Sequence, residues 1–175
     1  MPEDPHLRRA RVLLDEATHG LSDAAWSDAR EGHWSPAGVV EHLGKAYHGT
    51  AAMLEQSVTD GAPKGRAPQW RQRLFTWLIV DVGYFPTGAK APAVTLPQGL
   101  SGAEALVLAR SGLEAFDAAA ARCLAAFGPD ARVATHPILG GFTVGQWRRF
   151  HWSHTRHHMR QVARLRAGRA APHRL

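Results

Sequence analysis

The sequence predicts an all-α protein, an antiparallel four-helix bundle with one additional short helix or irregular crossover segment. Three observations predict this fold class. Apolar residues recur at spacings of three and four over long stretches, capping signals precede several of these stretches, and no convincing alternating strand pattern is present. At 175 residues the chain has room for one substantial core, so we expect a single domain over residues 1–175.

The first two helices are predicted from apolar periodicity and a capping signal. Residues 5–26 carry apolar side chains at mixed three- and four-residue spacing, which predicts an amphipathic first helix. Ser35 then provides a hydroxyl N-cap, and Pro36 occupies the first helical position, where its missing N–H costs nothing. A second helix is therefore expected from Pro36 to about Val58, followed by a loop over residues 59–70.

The middle of the chain gives a weaker signal. Residues 71–82 form an apolar run whose period does not separate a buried helix from a strand. We favour a helix because no second strand-like run exists to pair with it. Proline and glycine then make the segment from residue 86 to 99 irregular, and it is long enough either to cover a cleft or to be a simple connection.

Two capping boxes predict the starts of the last two helices. Residues 101–104 and 143–146 each place a hydroxyl three positions before Glu or Gln, so that both side chains satisfy free backbone N–H groups. The first of these helices should reach about residue 127. The second should reach about residue 167, where Gly168 is expected to stop it.

Composition limits the classes of function. Lys and Arg exceed Asp and Glu by 21 − 15 = 6, an excess that we attribute to a solvated helix face in preference to nucleic-acid binding. Cys123 is the only cysteine, so neither an intrachain disulfide nor a cysteine-rich zinc site is possible. With no long apolar span and no signal-like start, we expect a cytoplasmic protein that does not bind membranes.

Histidines on two predicted helices are the strongest functional signal. His154 and His158 lie one turn apart on the last helix, in the arc that faces the core. This spacing recurs in helical zinc sites, although each residue could instead be a hydrogen-bonded core histidine. His42, at the edge of the second helix's apolar stripe, is the natural third ligand, and His151 is a weaker candidate.

Four motifs accompany these histidines: Trp34-Ser35-Pro36, Glu41-His42-Leu43, the stretch from His136 to Gly140 with Thr143 and Trp147, and the stretch from His154 to Gln161. These motifs resemble those of the DinB-like, or YfiT-like, superfamily of metal-dependent enzymes. The resemblance covers nearly the whole chain and includes a branch whose function is unknown.

The resemblance implies a four-helix bundle in which His42, His154 and His158 hold a divalent metal ion, with zinc and nickel favoured. Characterised relatives include transferases and isomerases that use a low-molecular-weight thiol. We therefore expect a small-molecule substrate and a thiol-dependent S-transferase-like reaction. Family members often dimerise, so a homodimer is also expected.

Alternatives to thiol transfer remain open. Three neutral imidazoles leave the charge of a divalent ion uncompensated, which favours thiolate or hydroxide and thus transfer or hydrolysis. A bundle that holds metal or a small ligand without turnover is a third interpretation. Because Cys123 lies far from the histidine motifs in sequence and is expected to be a buried core residue, transfer would need an external thiol.

Several neighbouring residues have open roles. Gln161 either orients a ligand or makes a polar helix-packing contact. Glu41 lies on a different helix face from His42, and no general base is assigned. Aromatic side chains that either wall the pocket or belong to the core are Trp34, Trp147 and Phe150; acidic side chains that reach the cleft only if the bundle places them there are Glu104, Glu114 and Asp117.

Overall fold

The computed structural model describes residues 4–29, 32–85 and 91–167. The prediction of an all-α bundle is confirmed, with a small two-stranded sheet added to the helices. In chain order the helices are α1 Pro5–Thr18, α2 Asp23–Ser27, α3 Pro36–Thr59, α4 Trp70–Thr76, α5 Gly102–Phe127 and α6 Val144–Arg166. A π-helical segment Trp77–Val82 continues α4, a 3₁₀ turn spans Ala93–Thr95, and the strands are β1 Arg132–His136 and β2 Gly140–Thr143.

The predicted capping signals start the long helices. The hydroxyl of Ser35 accepts a hydrogen bond from the N–H of Gly38, and Ser101 and Thr143 cap α5 and α6 in capping boxes. These three side chains satisfy backbone donors that have no partner inside their own helix. Local chemistry therefore sets where each helix begins. The predicted stop residue Gly168 lies outside the described residues.

The predicted first helix over residues 5–26 is wrong after Thr18. The helix ends at Thr18, and Gly20 adopts a left-handed conformation with φ of 69°. Glycine adopts this conformation without steric cost, so it turns the chain away from the helix axis. Ser22 then caps the separate short helix α2. Apolar periodicity continued across this break and masked it.

The helices α3 and α5 run parallel and very close together. Gly44 lies opposite Ala109, and Leu54 lies opposite Cys123, so positions advance along both helices in the same direction. A Cβ atom on Gly44 would lie 2.8 Å from Leu108 Cγ and 2.9 Å from Ala109 N. Since real Cβ atoms do not approach so closely, glycine permits this helix contact.

The second parallel pair consists of α1 and α6. Arg148, near the start of α6, pairs with Asp4, and Arg166, at its end, donates to the carbonyl of Ala17. The helix α6 in turn packs against α3 in the opposite direction, and α1 runs opposite to α5. The two helices within each pair are thus parallel, and the α1–α6 pair runs antiparallel to the α3–α5 pair. The long connection through α4 makes the parallel crossover from α3 to α5 possible.

A hairpin precedes α6, although the sequence suggested no strands. β1 and β2 are antiparallel, with Arg132 opposite Thr143 and His136 opposite Gly140. The chain after α3 adds further backbone hydrogen bonds, including one of 2.8 Å from Gly65 N to the Arg132 carbonyl. Strands of five and four residues are too short for a clear alternating pattern. The predicted helix over residues 71–82 is confirmed by α4 and the π-helical segment.

Candidate metal centre

Antiparallel packing of α3 against α6 brings the three predicted histidines together. The Nε2 atom of His154 lies 3.2 Å from Nε2 of His42 and 2.9 Å from Nε2 of His158. One ring nitrogen from each histidine lies within 4.8 Å of the others. The side chains are almost fully buried, with 4% to 8% of each residue exposed. Two helices therefore converge on one cluster of imidazole nitrogens.

Hydrogen bonds orient two of the three imidazole rings. Nδ1 of His42 lies 3.0 Å from the carbonyl oxygen of Thr95, and Nδ1 of His158 lies 2.8 Å from Oε1 of Gln161. A carbonyl or amide oxygen only accepts, so both Nδ1 atoms carry the proton and donate it. The Nε2 atoms of both rings therefore present lone pairs toward His154. A hydrogen bond from the second ring nitrogen to an oxygen acceptor, such as the backbone carbonyl at His42, is typical of metal-ligating histidines.

Neither tautomer of His154 gives every ring nitrogen of this cluster a hydrogen-bond partner. If His154 carried its proton on Nε2, that single N–H would face two lone pairs, and Nδ1 would be a buried acceptor without a donor among the described residues. If the proton were on Nδ1, three lone pairs would converge. A divalent cation would accept all three. Nitrogens about 2.1 Å from a tetrahedral zinc ion are about 3.4 Å apart, so the separations of 3.2 and 2.9 Å here would widen around a bound ion.

Burial also favours the form of histidine that binds metal. It lowers the pKa of His42, lowers that of His154 well below its ordinary value, and lowers that of His158 to about 3. Removal of an imidazolium from water is unfavourable, and neighbouring histidines add to the effect. All three rings are therefore neutral at pH 7, as metal ligation requires.

Aromatic side chains surround the cluster, and one of them was missed by sequence reasoning. The ring of Trp34 lies 5.1 Å from that of His42, and Phe150 stacks on His154 at 5.3 Å. Phe85, which the sequence did not single out, stacks on the same ring at 5.8 Å. These rings surround the buried histidines with apolar surface. Trp34 and Phe150 thus lie beside the cluster, and both also pack in or against the hydrophobic core.

Trp147 and His151 belong to the adjoining core. The ring of His151 has no solvent exposure and lies 4.5 Å from that of Phe116 and 5.8 Å from that of Trp147. Neither ring nitrogen of His151 has a hydrogen-bond partner among the described residues. His151 is not a member of the three-histidine cluster. The structure therefore does not support the prediction that His151 is a weaker candidate for a metal ligand.

Three of the four acidic residues considered as bases have other partners, and the fourth, Glu114, is exposed on α5. Glu41 is buried, and its carboxylate accepts hydrogen bonds from Lys45 and from backbone N–H groups of residues 98–100. Glu104 caps α5, and Asp117 pairs with Arg148. Sequence periodicity placed Glu41 on another face from His42 and could not reveal its contact with residues distant in sequence.

The protein thiol is confirmed as a buried core group. Cys123 has no solvent exposure, and its Sγ atom lies 3.5 Å from the Leu54 carbonyl oxygen on the α3–α5 contact. Burial raises the pKa of the Cys123 thiol, so the reactive thiolate is disfavoured. Any thiol chemistry at the histidine cluster would require an external thiol.

Comparison with known proteins identifies the family. A model of the DinB superfamily matches residues 6–162, which include all six helices up to the last turn of α6. The comparisons found no match among curated proteins and none among solved structures. Among the described residues, no helix combines the length and apolar character that a membrane crossing requires. The chain belongs to the DinB superfamily.

Proposed function

We propose that the protein is a metal-dependent enzyme that binds one divalent cation, zinc or nickel, through Nε2 of His42, His154 and His158. The single observation that carries this proposal is that the Nε2 atoms of three neutral imidazoles converge at one point. Hydrogen bonds among these three atoms cannot satisfy all of them. A cation bound there would act as a Lewis acid toward a thiol or a water molecule. Three uncharged ligands leave the site attractive to an anionic group.

For the reaction we propose thiol-dependent S-transfer, with hydrolysis as the competing interpretation. A hydrolase normally needs a base to direct water, but the carboxylate of Glu41 is occupied by Lys45 and backbone N–H groups. A thiol is far more acidic than water, so a thiol held by a bound cation would release its proton to solvent without a positioned base. Because Cys123 is buried in the α3–α5 contact, the proposed thiol is external, and it would react with a separate small-molecule substrate.

Metal analysis of the untagged protein tests the site. We expect one equivalent of metal in the wild type and its loss in His42→Ala and in His158→Ala. His48→Ala is the matched control because His48 lies on the same helix and contacts Ser111. Wild-type protein that binds no zinc or nickel, or equal metal content in all variants, would overturn the proposal.

A thiol-dependence assay separates the reaction types. Conversion of an electrophilic test substrate only when a low-molecular-weight thiol is added supports transfer. Cleavage of a test ester by metal-loaded protein without thiol would support hydrolysis. Stoichiometric metal with neither reaction across both substrate sets would favour a bundle that binds metal or a small ligand without turnover.

We also propose that a second copy of the chain covers α4. Trp70, Leu74 and Trp77 lie at helical spacing on one face and are 71%, 56% and 55% exposed. Large aromatic side chains bury about 150–250 Å² each, so these three residues would supply the apolar centre of an interface, and neighbouring residues would complete the roughly 800 Å² per partner of a standard one. Light scattering should show a dimer that Trp77→Glu converts to monomer. A monomeric wild type would exclude it.

A further inference from the structure

One segment outside the bundle lies directly beside the histidine cluster. We call residues 91–100 the strap; it contains the 3₁₀ turn Ala93–Thr95 and leads into the N-cap of α5. The carbonyl oxygen of Thr95 accepts the hydrogen bond from Nδ1 of His42. A backbone group of the strap therefore sets which nitrogen of His42 carries the proton.

The strap is held by a buried carboxylate on the neighbouring residue. Oε1 of Glu41 lies 2.7 Å from the backbone nitrogen of Gln98, and Oε2 lies 3.1 Å from those of Gly99 and Leu100. Glu41 has no solvent exposure. A buried charge is unfavourable unless it is paired and hydrogen-bonded, so these three donors are strong and specific contacts.

Lys45 completes the attachment one helical turn further along α3. Its Nζ atom lies 2.7 Å from Oε1 of Glu41 and 2.7 Å from the carbonyl oxygen of Leu96. The ammonium group thus joins the carboxylate to the strap and supplies the opposite charge. Thr95, Leu96 and residues 98–100 form hydrogen bonds with side chains of α3, and Thr95 is the position that reaches His42.

We propose that Glu41 is a positioning residue for the metal centre. Its carboxylate fixes the strap so that Thr95 accepts from Nδ1 of His42, which holds Nε2 unprotonated and directed toward His154. This inference rests on the proposed metal site for its effect on affinity. Its effect on the strap and on the His42 tautomer is independent of metal.

The test compares Glu41→Gln with Glu55→Gln. The amide is isosteric but removes the charge and places an NH₂ group against backbone donors. Glu55 is the matched control because it lies on the same helix, is solvent-accessible and pairs with Arg122 away from the strap. The probes are Zn²⁺ affinity by competition titration, amide hydrogen exchange of residues 98–100, and the tautomer of His42 from ¹⁵N chemical shifts.

For Glu41→Gln we expect Zn²⁺ affinity to fall about 10- to 100-fold, as for other groups that orient metal ligands. We also expect faster exchange of the three amides and a mixture of His42 tautomers in the metal-free protein. Glu55→Gln should match wild type in all three. Folded Glu41→Gln with wild-type affinity, exchange and tautomer would overturn the proposal.

Two further results keep the test decisive. If the wild type binds no Zn²⁺, the proposed metal function fails, while the exchange rates and the tautomer still decide the role of Glu41. If Glu41→Gln does not fold, Lys45→Met replaces it, because Lys45 holds the strap at Leu96 and its side chain is partly exposed. A smaller change in the same direction supports the proposal, and no change in tautomer or exchange overturns it.

Discussion

The hydroxyl of Tyr47 on α3 lies 2.6 Å from Oγ1 of Thr155 on α6, in a buried hydrogen bond beside the histidine cluster. Thr155 Oγ1 donates its own proton to the carbonyl of His151 at 2.6 Å, so Tyr47 is the donor to Thr155. This contact fixes the spacing of the two helices that carry the three histidines.

Removal of that hydroxyl should destabilise the bundle. We expect Tyr47→Phe to lower the free energy of unfolding by about 1 kcal/mol, the usual cost of a buried neutral hydrogen bond. Urea denaturation measures the difference. Tyr84→Phe is the control, since Tyr84 is half exposed and its replacement should change stability by less than about 0.5 kcal/mol. Equal stabilities of the two variants would contradict the assigned bond.

Metal binding should stabilise the folded protein. At Zn²⁺ concentrations about 100-fold above Kd, ligand binding to the native state adds about 2.7 kcal/mol to the free energy of unfolding. For a chain of this size that corresponds to a rise of about 5–10 °C in Tm. Thermal denaturation with Zn²⁺ and with a chelator measures the effect. His42→Ala should show no such rise, and an equal rise in that variant would place the ion elsewhere.

Gln161 should tune the affinity of the site through His158. Gln161→Leu removes the acceptor 2.8 Å from Nδ1 of His158 and frees that ring to change tautomer. We expect a loss of about 10- to 100-fold in Zn²⁺ affinity by competition titration, with little change in stability. Gln56→Leu on exposed α3 surface, where the amide contacts Asp60, is the control. If Gln161→Leu leaves the Zn²⁺ affinity unchanged, Gln161 makes only a helix-packing contact.

The close α3–α5 contact predicts opposite effects of the same substitution at two glycines. Gly44→Ala places a Cβ against Leu108 and the backbone of Ala109, so we expect about 1–3 kcal/mol of destabilisation. Gly49→Ala on the same helix meets no atom within 4 Å and should stabilise by about 0.5–1 kcal/mol. Urea denaturation compares both, and a gain from Gly44→Ala would contradict the close contact.

His136 should make the protein sensitive to acid. Burial lowers the pKa of His136 to about 4, from an ordinary value near 6.5. Above pH 6.5 the ring is neutral in both states and its contribution is complete; as pH falls toward 4, the unfolded chain binds the proton first and stability decreases. The loss approaches about 3 kcal/mol for this half-buried group.

The substitution His136→Asn checks this acid sensitivity. An amide oxygen can replace Nδ1 of His136 as acceptor for the N–H groups of Ile138 and Leu139, but it does not titrate. The difference in unfolding free energy between pH 7 and pH 4.5 should therefore be smaller in the variant. Urea denaturation at both pH values measures it. Identical pH dependence in both proteins would assign the acid sensitivity to other groups.

Sequence patterns predicted those structural features that depend on residues close together in the sequence. Ser35, Ser101 and Thr143 act on N–H groups three positions away, so the starts of α3, α5 and α6 followed directly from local spacing. The end of α1 did not, because the turn at Gly20 lies inside a continuing apolar pattern. The hairpin was missed because each strand is stabilised by its partner and by the chain after α3.

The sequence by itself determined that His154 and His158 share one face of a helix, since four residues make about one turn wherever the helix lies. Only the tertiary structure decided that His42, 112 positions from His154, completes the cluster, and that Glu41 holds the strap whose Thr95 carbonyl orients His42. Those contacts depend on how α3 packs against α6 and on where a long connection returns. Such packing minimises exposed apolar surface over the whole chain, which no local pattern records.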